Sequence, residues 1–378
     1  MNSTRPPRRP LWKRTWMRVV LVVLAGGASA LWFTRPEPPP PPLASGVPMK
    51  AIVYHDYGPP DVLRLEVVDK PLPREDQVLI RIRAAAANPL DWHYIRGTPY
   101  VMRMESGFGQ PKDPGVGVDM AGVVVATGSN VTQFKPGDEV FGTVNGAFAE
   151  YALTTERRIA PKPASLTFEQ AAGVPVAALT ALQGLRDKGR IQPGQKVLIN
   201  GSSGGVGTFA VQIAKSLGAE VTGICSTRNL ELVRSLGADH VIDYTQEDFA
   251  ESGQQYDLIV DNVGNRSLSD YRRVLKSKGT YVLIGGGGPD NGKWLGPLAT
   301  MLKVLVVSPF VSQDLTTLMA SIRQDDLRLL GELIESNQVR PVIDRTYPLS
   351  EAAEAIRYLE TGRARGKVII TMENGAAY

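Results

Sequence analysis

The pattern of hydrophobic and polar positions divides the chain near Thr167. Before that point, short runs of β-branched and apolar residues predict strands, because such runs bounded by turn residues fit a half-buried pleated surface. Turn signals that contain glycine, proline and aspartate separate these runs closely. The predicted strands are Lys50–Tyr54, Gln77–Arg83 and Ala121–Ala126. Short strands and dense turns together predict a compact, barrel-like, β-rich domain.

After Thr167, apolar runs of strand length alternate with stretches of helical length. A helix predicted over Phe168–Leu185 begins this part, and the chain closes with two amphipathic helices and a strand at Lys367–Thr371. Alternating strands and helices are typical of an α/β fold with a doubly wound parallel sheet. The predicted strands of this sheet are Val197–Asn200, Val221–Cys225, His240–Asp243, Leu258–Asp261, Tyr281–Ile284 and Val304–Val307.

A glycine-rich turn joins the first of these strands to the helix that follows it. Glycines let the backbone turn tightly and approach a ligand, while the N-terminus of a helix offers unpaired N–H groups and a positive dipole. Strand, glycine turn and helix in this order form the pyrophosphate site of a dinucleotide-binding fold. The alternative is a tight turn that binds nothing. We predict cofactor contacts at Gly201, Ser203, Gly204, Gly205, Val206 and Gly207.

The end of the second strand indicates which dinucleotide binds. A site for NAD usually has an Asp or Glu about 20 residues after the glycines, where it accepts hydrogen bonds from the ribose hydroxyls. This chain has Ser226, Thr227 and Arg228 there. Two hydroxyls and a guanidinium suit a 2′-phosphate, which a carboxylate would repel. We therefore predict NADPH, with the alternative that Arg228 is an exposed charge at the start of a helix.

Composition restricts the class of protein. The chain has 378 residues, of which 43% are hydrophobic and 21% charged, an ordinary balance for a globular protein of two domains. Much of the net charge of +4 lies before residue 36, and no basic stripe with interleaved aromatics indicates nucleic-acid binding. The single cysteine, Cys225, excludes an internal disulfide, and the three histidines are widely scattered. We predict no zinc site.

The N-terminal segment, residues 1–48, combines a basic leader, an apolar run at 19–33 and a proline-rich spacer. We predict a single-pass membrane anchor through residues 17–34, although the apolar run is shorter than the about 20 residues that a spanning helix needs. One alternative is a cleaved export signal, because Ala28-Ser-Ala30 fits a cleavage site. The other is translation from Met49, which would leave the protein in the cytoplasm. An anchor with basic residues on its N-terminal side would place the body outside, which conflicts with a cofactor recycled inside cells.

Several motifs follow one another along the rest of the chain. They are Asn88–Asp91, Gly117–Gly122, Lys135–Gly142, Leu179–Ala181, the glycine turn, Leu236–Asp239 and Gly366–Ile370. Their order and spacing resemble the zinc-independent quinone oxidoreductases of the medium-chain dehydrogenase/reductase superfamily, over Met49–Met372. The resemblance implies a GroES-like catalytic domain at 49–171 and 313–378, with a Rossmann domain at 172–312 and the active site in the cleft. It also implies a homodimer formed through the last Rossmann strand, near Lys303–Phe310.

The resemblance further implies that NADPH delivers hydride to a small molecule, either a quinone or an α,β-unsaturated carbonyl compound. Asn88 matches an asparagine of the family's cleft and would bind the substrate carbonyl or a ribose, unless it is only a turn residue. His93 occupies the position at which some relatives carry a tyrosine as proton donor, unless it is a structural histidine, and Tyr94 follows it. Both are candidate catalytic residues, together with Asn88 and Thr180. Thr180 lies in a motif that meets the nicotinamide in relatives.

The ends of later strands complete the predicted cofactor site, since ligands of open α/β sheets gather there. We predict that Tyr244 stacks near the adenosine and that Lys367 either reaches a cofactor phosphate or is solvated. Asn262, Val263 and Gly285 lie at strand ends, with Gly285 close to the nicotinamide ribose. Two other functions stay open: an enoyl-thioester reductase, and a membrane-tethered protein that binds NADPH without catalysis.

Overall fold

Three β-sheets organise the described part of the chain. The structure, a computed structural model, describes residues 43–285, 294 and 296–372. β1 (Leu43–Val53) and β2 (Arg64–Leu72) form an antiparallel ribbon. The remaining strands form a mixed sheet of seven strands and a parallel sheet of six.

The mixed sheet takes its strands from both ends of the described chain. In it, β15 pairs antiparallel with β3, so that Ile369 lies opposite Ala86. The strand order is β14-β15-β3-β4-β5-β7, and β6 pairs with β3. The strands are β3 (Gln77–Ala87), β4 (Asp119–Thr127), β5 (Glu139–Thr143), β6 (Tyr151–Thr155), β7 (Ile159–Pro161), β14 (Ile343–Pro348) and β15 (Lys367–Thr371).

The parallel sheet has the order β10-β9-β8-β11-β12-β13. Its central strands are continuous apolar runs, and Val197, Leu198 and Ile199 are completely buried, because helices cover both faces of such a sheet. The strand order reverses between β8 and β11, which opens a crevice at their carboxyl ends. The strands are β8 (Lys196–Asn200), β9 (Glu220–Cys225), β10 (His240–Asp243), β11 (Tyr256–Asp261), β12 (Leu275–Leu283) and β13 (Asp314–Thr317).

Ten helices accompany the sheets within the described residues. They are α1 (Pro89–Arg96), α2 (Arg103–Ser106), α3 (Phe168–Ala172), α4 (Pro175–Gln183), α5 (Gly205–Ser216), α6 (Leu230–Ser235), α7 (Leu268–Val274), α8 (Pro297–Val307), α9 (Gln324–Glu335) and α10 (Ala352–Glu360). Short 3-10 turns lie at Pro60–Val62, Tyr100–Met102, Glu156–Arg158, Thr227–Asn229, Phe249–Glu251, Ser308–Phe310 and Leu349–Glu351, and a π-helical turn lies at Gly184–Lys188.

The predicted α/β class, with a β-rich part and a doubly wound parallel sheet, is confirmed. The helix predicted over Phe168–Leu185 is divided into α3 and α4, because Gly173 ends the first and Pro175 begins the second. The strand predicted at Val304–Val307 is wrong. These residues belong to α8, and the sheet ends instead at β13. A short, continuous apolar run does not distinguish a buried strand from a helix, and here a proline in the first turn favours the helix.

The prediction of a single-pass membrane anchor needs correction. Within residues 43–285, 294 and 296–372, no helix has the length and apolar character needed to cross a membrane. The segment on which the prediction rested, residues 17–34, lies outside the described residues. The apolar run within that segment, residues 19–33, is also shorter than the about 20 residues that a spanning helix needs.

Candidate functional site

The predicted glycine turn follows β8 and leads directly into α5. Gly201 has a φ of +75°, a left-handed conformation that favours glycine. A Cβ atom added to Gly207 would lie 2.0 Å from the carbonyl oxygen of Gly201, so the first turn of α5 packs tightly on the loop. Among the described residues, a Cβ added to Gly204 would meet only the carbonyl oxygen of Gly201, at 3.5 Å, which is an ordinary van der Waals contact, so this position has room for a side chain. Among the described residues, no side chain caps α5, so its first N–H groups remain for a ligand such as a pyrophosphate.

The cradle lies beside the ends of two other parallel strands. A Cβ on Gly201 would come within 2.6 Å of a methyl group of Val263, and a Cβ on Gly285 within 2.1 Å of the carbonyl oxygen of Asn262. The Nδ2 atom of Asn262 donates to the carbonyl oxygen of Asn200 at 2.9 Å. Its Oδ1 atom is buried and has no hydrogen-bond partner among the described residues. A buried unpaired acceptor beside an open glycine turn fits the amide or hydroxyl donors of a dinucleotide.

Asp261 supports this edge of the site, although the sequence did not single it out. It is completely buried. Its Oδ1 atom accepts from the backbone N–H groups of Val263 at 3.1 Å and Gly264 at 2.9 Å. Its Oδ2 atom accepts from the hydroxyl of Tyr281 at 2.8 Å. The carboxylate therefore holds the loop after β11 in place.

The three residues predicted to bind a 2′-phosphate differ in what they offer a ligand. The hydroxyl of Thr227 donates to Oδ2 of Asp243 at 2.5 Å, so its proton is already used. Ser226 is partly exposed, and its Oγ atom accepts from Asn229 at 3.3 Å. Arg228 is exposed and donates from Nη2 to the carbonyl oxygen of Arg363 at 2.5 Å, which leaves its other N–H groups for an anion. Ser226 and Arg228 thus fit the predicted role better than Thr227.

Tyr244 follows β10 in the same region. More than half of its side chain, 56%, is exposed, and its backbone N–H donates to the carbonyl oxygen of Cys225 at 3.1 Å. Val206, the second residue of α5, is half-buried beside the cradle. The structure therefore brings together, at one edge of the parallel sheet, the residues predicted from the glycine turn and from the ends of β9, β10, β11 and β12.

Lys367 lies in a buried polar network rather than in solvent. Its Nζ atom donates to Oδ1 of Asn88 at 2.5 Å and lies 3.2 Å from Oδ2 of Asp119. The Nδ2 atom of Asn88 donates to Asp119 at 3.0 Å and to the carbonyl oxygen of Ala86 at 3.3 Å. The other oxygen of Asp119 accepts from the backbone N–H of Val176 at 2.9 Å. The predicted functional groups of Asn88 and Lys367 are thus bonded to each other and to Asp119, a residue without a predicted role.

The same strand also contacts the cradle directly. The backbone N–H of Gly366 donates to the carbonyl oxygen of Ser203 at 2.9 Å. A Cβ on Gly205 would lie 3.2 Å from the Cδ atom of Lys367, so the aliphatic part of the lysine passes over the start of α5. The mixed sheet and the cofactor cradle are therefore joined at this point.

Asp91 is an acidic residue in the first turn of α1. Its Oδ2 atom accepts from the backbone N–H of Asn88 at 2.7 Å, which satisfies a group that the helix leaves unpaired. Burial raises the pKa of Asp91 to about 7, although the hydrogen bond from Asn88 lowers it. The carboxyl group is therefore partly protonated near neutral pH.

His93 and Tyr94 differ in their capacity to donate a proton. The Nδ1 atom of His93 lies 2.7 Å from the carbonyl oxygen of Thr98, which only accepts, so Nδ1 carries the hydrogen. Burial lowers the pKa of His93, so the ring is neutral and its Nε2 atom is an acceptor. Burial raises the pKa of Tyr94, so its hydroxyl stays protonated. Among the described residues, no hydrogen-bond partner occupies that hydroxyl.

Thr180 is buried in α4, and its hydroxyl donates to the carbonyl oxygen of Val176 at 2.6 Å. Its proton is thereby used within the helix, and its lone pairs remain to accept a hydrogen bond. Such an acceptor suits the N–H₂ group of a carboxamide. Within the described part of the chain, no group of three or more His, Cys, Asp or Glu side chains is arranged to hold a metal ion.

Comparison with known proteins agrees with this architecture. The family described as alcohol dehydrogenase GroES-like domain matches residues 74–164, and the family described as zinc-binding dehydrogenase matches residues 236–370. A chloroplastic NADPH-dependent alkenal/one oxidoreductase of Arabidopsis thaliana is 37% identical over 337 residues, which cover 85% of this chain and 79% of the relative. The mitochondrial NAD(P)H oxidoreductase RTN4IP1 of Mus musculus is 35% identical, covering 86% of this chain and 89% of the relative.

A solved structure extends the likeness to three dimensions. The quinone oxidoreductase from Coxiella burnetii superimposes with a TM-score of 0.76 at 32% identity, covering 86% of this chain and all of the other. The two sequence relatives are named as chloroplastic and mitochondrial, and they too lend no support to the predicted membrane anchor. The glycine cradle and the split mixed sheet agree with these matches. The chain belongs to the zinc-independent quinone oxidoreductase family of the medium-chain dehydrogenase/reductase superfamily.

Proposed function

We propose that this protein is an NADPH-dependent oxidoreductase that reduces a quinone or an α,β-unsaturated carbonyl compound without zinc. The observation that carries the proposal is the open glycine cradle at the point where the strand order reverses, beside the buried, unpaired Oδ1 atom of Asn262. The relatives named above act on alkenals, alkenones and quinones, which supplies the class of substrate.

The chain's own residues divide the work of holding the cofactor. The N–H groups at the start of α5 bind the pyrophosphate, and Ser226 and Arg228 bind the 2′-phosphate. Asn262 and Thr180 orient the nicotinamide end, because both offer acceptor atoms to its amide or ribose donors. The bound cofactor supplies a hydride. Gly285 packs on the backbone of Asn262 and Val263 packs on Gly201, which holds the strand ends against the cradle.

Reduction of the substrate develops negative charge on its carbonyl oxygen, and a positioned hydrogen-bond donor stabilises that charge. Asn88 and His93, two of the four predicted catalytic residues, have their donor hydrogens engaged with protein atoms. Tyr94 keeps a protonated hydroxyl available, and we assign the donor role to it. Asn88 then acts by fixing the start of α1, on which Tyr94 lies.

The domain division belongs to the same proposal. We assign residues 49–171 and 318–372 to the catalytic domain. We assign residues 172–317 to the Rossmann domain. Because β13 adds to the parallel sheet, we propose that the return to the catalytic domain falls after Thr317, where the sequence had suggested 312.

A homodimer is also part of the proposal, now formed through β13. This strand pairs only with β12 in the described sheet, so its outer edge is free to pair with a second copy. Large apolar side chains are exposed near it: Leu302, Leu305, Val306, Phe310 and Met319. Sedimentation equilibrium of the protein should give twice the chain mass, and Leu305→Glu should give the single-chain mass.

The test of the function is a panel of acceptors assayed with NADPH and with NADH. The panel contains benzoquinones, naphthoquinones, alkenals, alkenones and an enoyl thioester, and metal content is measured on the same preparation. Turnover of quinones or enones with NADPH by metal-free protein supports the proposal. Saturable binding of NADPH without turnover of any acceptor, or activity that requires bound zinc, contradicts it.

A further inference from the structure

Asn229 connects two serines that lie at different parts of the cofactor site. It follows Arg228 at the end of the turn after β9, and only 5% of it is exposed. Its Nδ2 atom lies 2.9 Å from Oγ of Ser203, in the glycine turn, and 3.3 Å from Oγ of Ser226, at the end of β9. One amide group therefore spans the distance from the pyrophosphate cradle to the 2′ end of the adenosine ribose.

The amide nitrogen determines the direction of both hydrogen bonds. It carries two hydrogens and no acceptor, so each serine oxygen must accept from it. A serine hydroxyl that accepts in this way still has its own hydrogen to donate. Among the described residues, neither Ser203 nor Ser226 donates that hydrogen to a protein acceptor. Both hydroxyls are thus left as donors, the polarity that a phosphate oxygen requires.

The other end of the amide shows that this arrangement has an energetic cost. The Oδ1 atom of Asn229 is buried and has no hydrogen-bond partner among the described residues. An unpaired buried acceptor is unfavourable, and such exceptions in a folded protein call for a reason. The fixed donor polarity of the two serines provides one.

We propose that Asn229 is a specificity-determining residue, which makes the hydroxyls of Ser203 and Ser226 donate toward the phosphates of the cofactor and so favours NADPH over NADH. The inference rests on the proposed NADPH dependence and adds to it a residue that contacts no phosphate itself. Ser203 would serve the pyrophosphate, which both cofactors share. Ser226 would serve the 2′-phosphate, which only NADPH carries.

The central variant is Asn229→Asp in the full chain. A carboxylate of the same shape only accepts, so it draws both serine hydrogens toward itself and leaves lone pairs facing the ligand. We expect the Kd for NADPH, measured by fluorescence titration, to rise about 30-fold, since a hydrogen bond to a charged group is reversed. The Kd for NADH should rise about threefold. The control Asn229→Ala, which leaves the hydroxyls free to rotate, should raise the Kd for NADPH less than fivefold.

A double-variant cycle separates hydrogen-bond polarity from the added negative charge. Ser226→Ala alone should weaken NADPH about tenfold and leave NADH unchanged, because the lost donor serves only the 2′-phosphate. In the Asn229→Asp background the same serine substitution should change the Kd for NADPH less than twofold, since the hydroxyl no longer donates. A tenfold effect of Ser226→Ala in both backgrounds means that charge alone is responsible and overturns the inference.

Stability must be measured with binding, by thermal melting of each variant. Equal losses of NADPH and NADH affinity in Asn229→Asp would identify a structural residue and overturn the inference. If Asn229→Asp does not fold, the serine variants test the inference instead. Ser226→Ala must then reduce the affinity for NADPH alone, and Ser203→Ala must reduce the affinities for NADPH and NADH equally. Failure of the proposed NADPH dependence looks different, because the unmodified protein would then bind NADPH no better than NADH, and failure of the proposed catalysis would leave NADPH binding intact without turnover.

Discussion

The Nζ atom of Lys367 lies 2.5 Å from the Oδ1 atom of Asn88, although 279 residues separate them in sequence. The ammonium group also lies 3.2 Å from Oδ2 of Asp119, so its charge is compensated by a buried carboxylate. Two residues that the sequence suggested as separate contacts, one for substrate and one for a cofactor phosphate, therefore form a single buried unit beside the cradle.

Removing the lysine should destabilise the fold more than it weakens the cofactor. In Lys367→Met, the carboxylate of Asp119 remains buried without its ion-pair partner, which we expect to lower the free energy of unfolding by about 3–5 kcal/mol. Denaturant unfolding measures this change. Lys367→Met combined with Asp119→Asn should recover part of the loss. A more than tenfold rise in the Kd for NADPH with unchanged stability would instead support direct contact with a phosphate.

Two glycines of the cradle should respond in opposite ways to substitution. Gly204→Val brings its Cβ only into ordinary van der Waals contact and keeps an extended backbone that any residue adopts, so the protein should fold with a normal melting temperature. It should nevertheless lose NADPH binding, because the side chain fills the space over the helix N-terminus. The matched control is Gly207→Val, whose Cβ would overlap the carbonyl oxygen of Gly201, and it should fail to fold stably. Calorimetric titration measures NADPH binding by both variants, and thermal melting measures their stability. A folded Gly204→Val variant that binds NADPH normally would mean that the pyrophosphate lies elsewhere.

The guanidinium of Arg228 should distinguish the two forms of the cofactor. Arg228→Ala is expected to raise the Kd for NADPH about 10- to 30-fold and to leave that for NADH nearly unchanged, because only NADPH carries the 2′-phosphate. Arg234→Ala provides the control, since Arg234 is exposed on the next helix and pairs with Glu231. Equal losses for both cofactors in Arg228→Ala would contradict the assignment.

The hydroxyl of Tyr94 should matter for the chemical step. Tyr94→Phe is expected to lower kcat about 100-fold with the best acceptor, as for loss of one positioned donor, and to leave the KM for NADPH within twofold. Tyr244→Phe is the control, because Tyr244 is exposed after β10, where we predict the adenosine and not the reacting nicotinamide. Steady-state kinetics with NADPH at saturation measures the change. Full activity of Tyr94→Phe would exclude this residue as the donor.

The buried carboxyl of Asp91 should make stability depend on pH. Its pKa in the folded protein is about 7, above the value of 3.8 for an unperturbed aspartate, so the folded state binds the proton more tightly. Its contribution to stability is therefore complete below about pH 4 and is lost as the pH rises toward 7. The difference in unfolding free energy between the unmodified protein and Asp91→Asn should change by up to about 4 kcal/mol across this range. A difference that does not vary with pH would show that Asp91 ionises normally.

The cofactor cradle could be recognised from sequence because every part of it is local. A strand, a turn that needs glycine at Gly201, and a helix that begins at Gly205 follow one another within a few residues. The state of individual hydroxyls could not be recognised in the same way. The sequence predicts Thr227 as a phosphate ligand. In the structure, however, its hydroxyl donates to Asp243, which lies on the next strand.

By itself, the sequence determined the alternation of strands and helices, the glycine turn and the type of cofactor, since these depend on periodicity and on residues close together in the chain. Only the tertiary structure decided that β15 completes a sheet begun by β3, that Asp119 joins Asn88 to Lys367, and that Val304–Val307 lies in a helix. Those features depend on contacts between segments that are distant in sequence. Burial and strand pairing in the packed chain stabilise them and override local propensity.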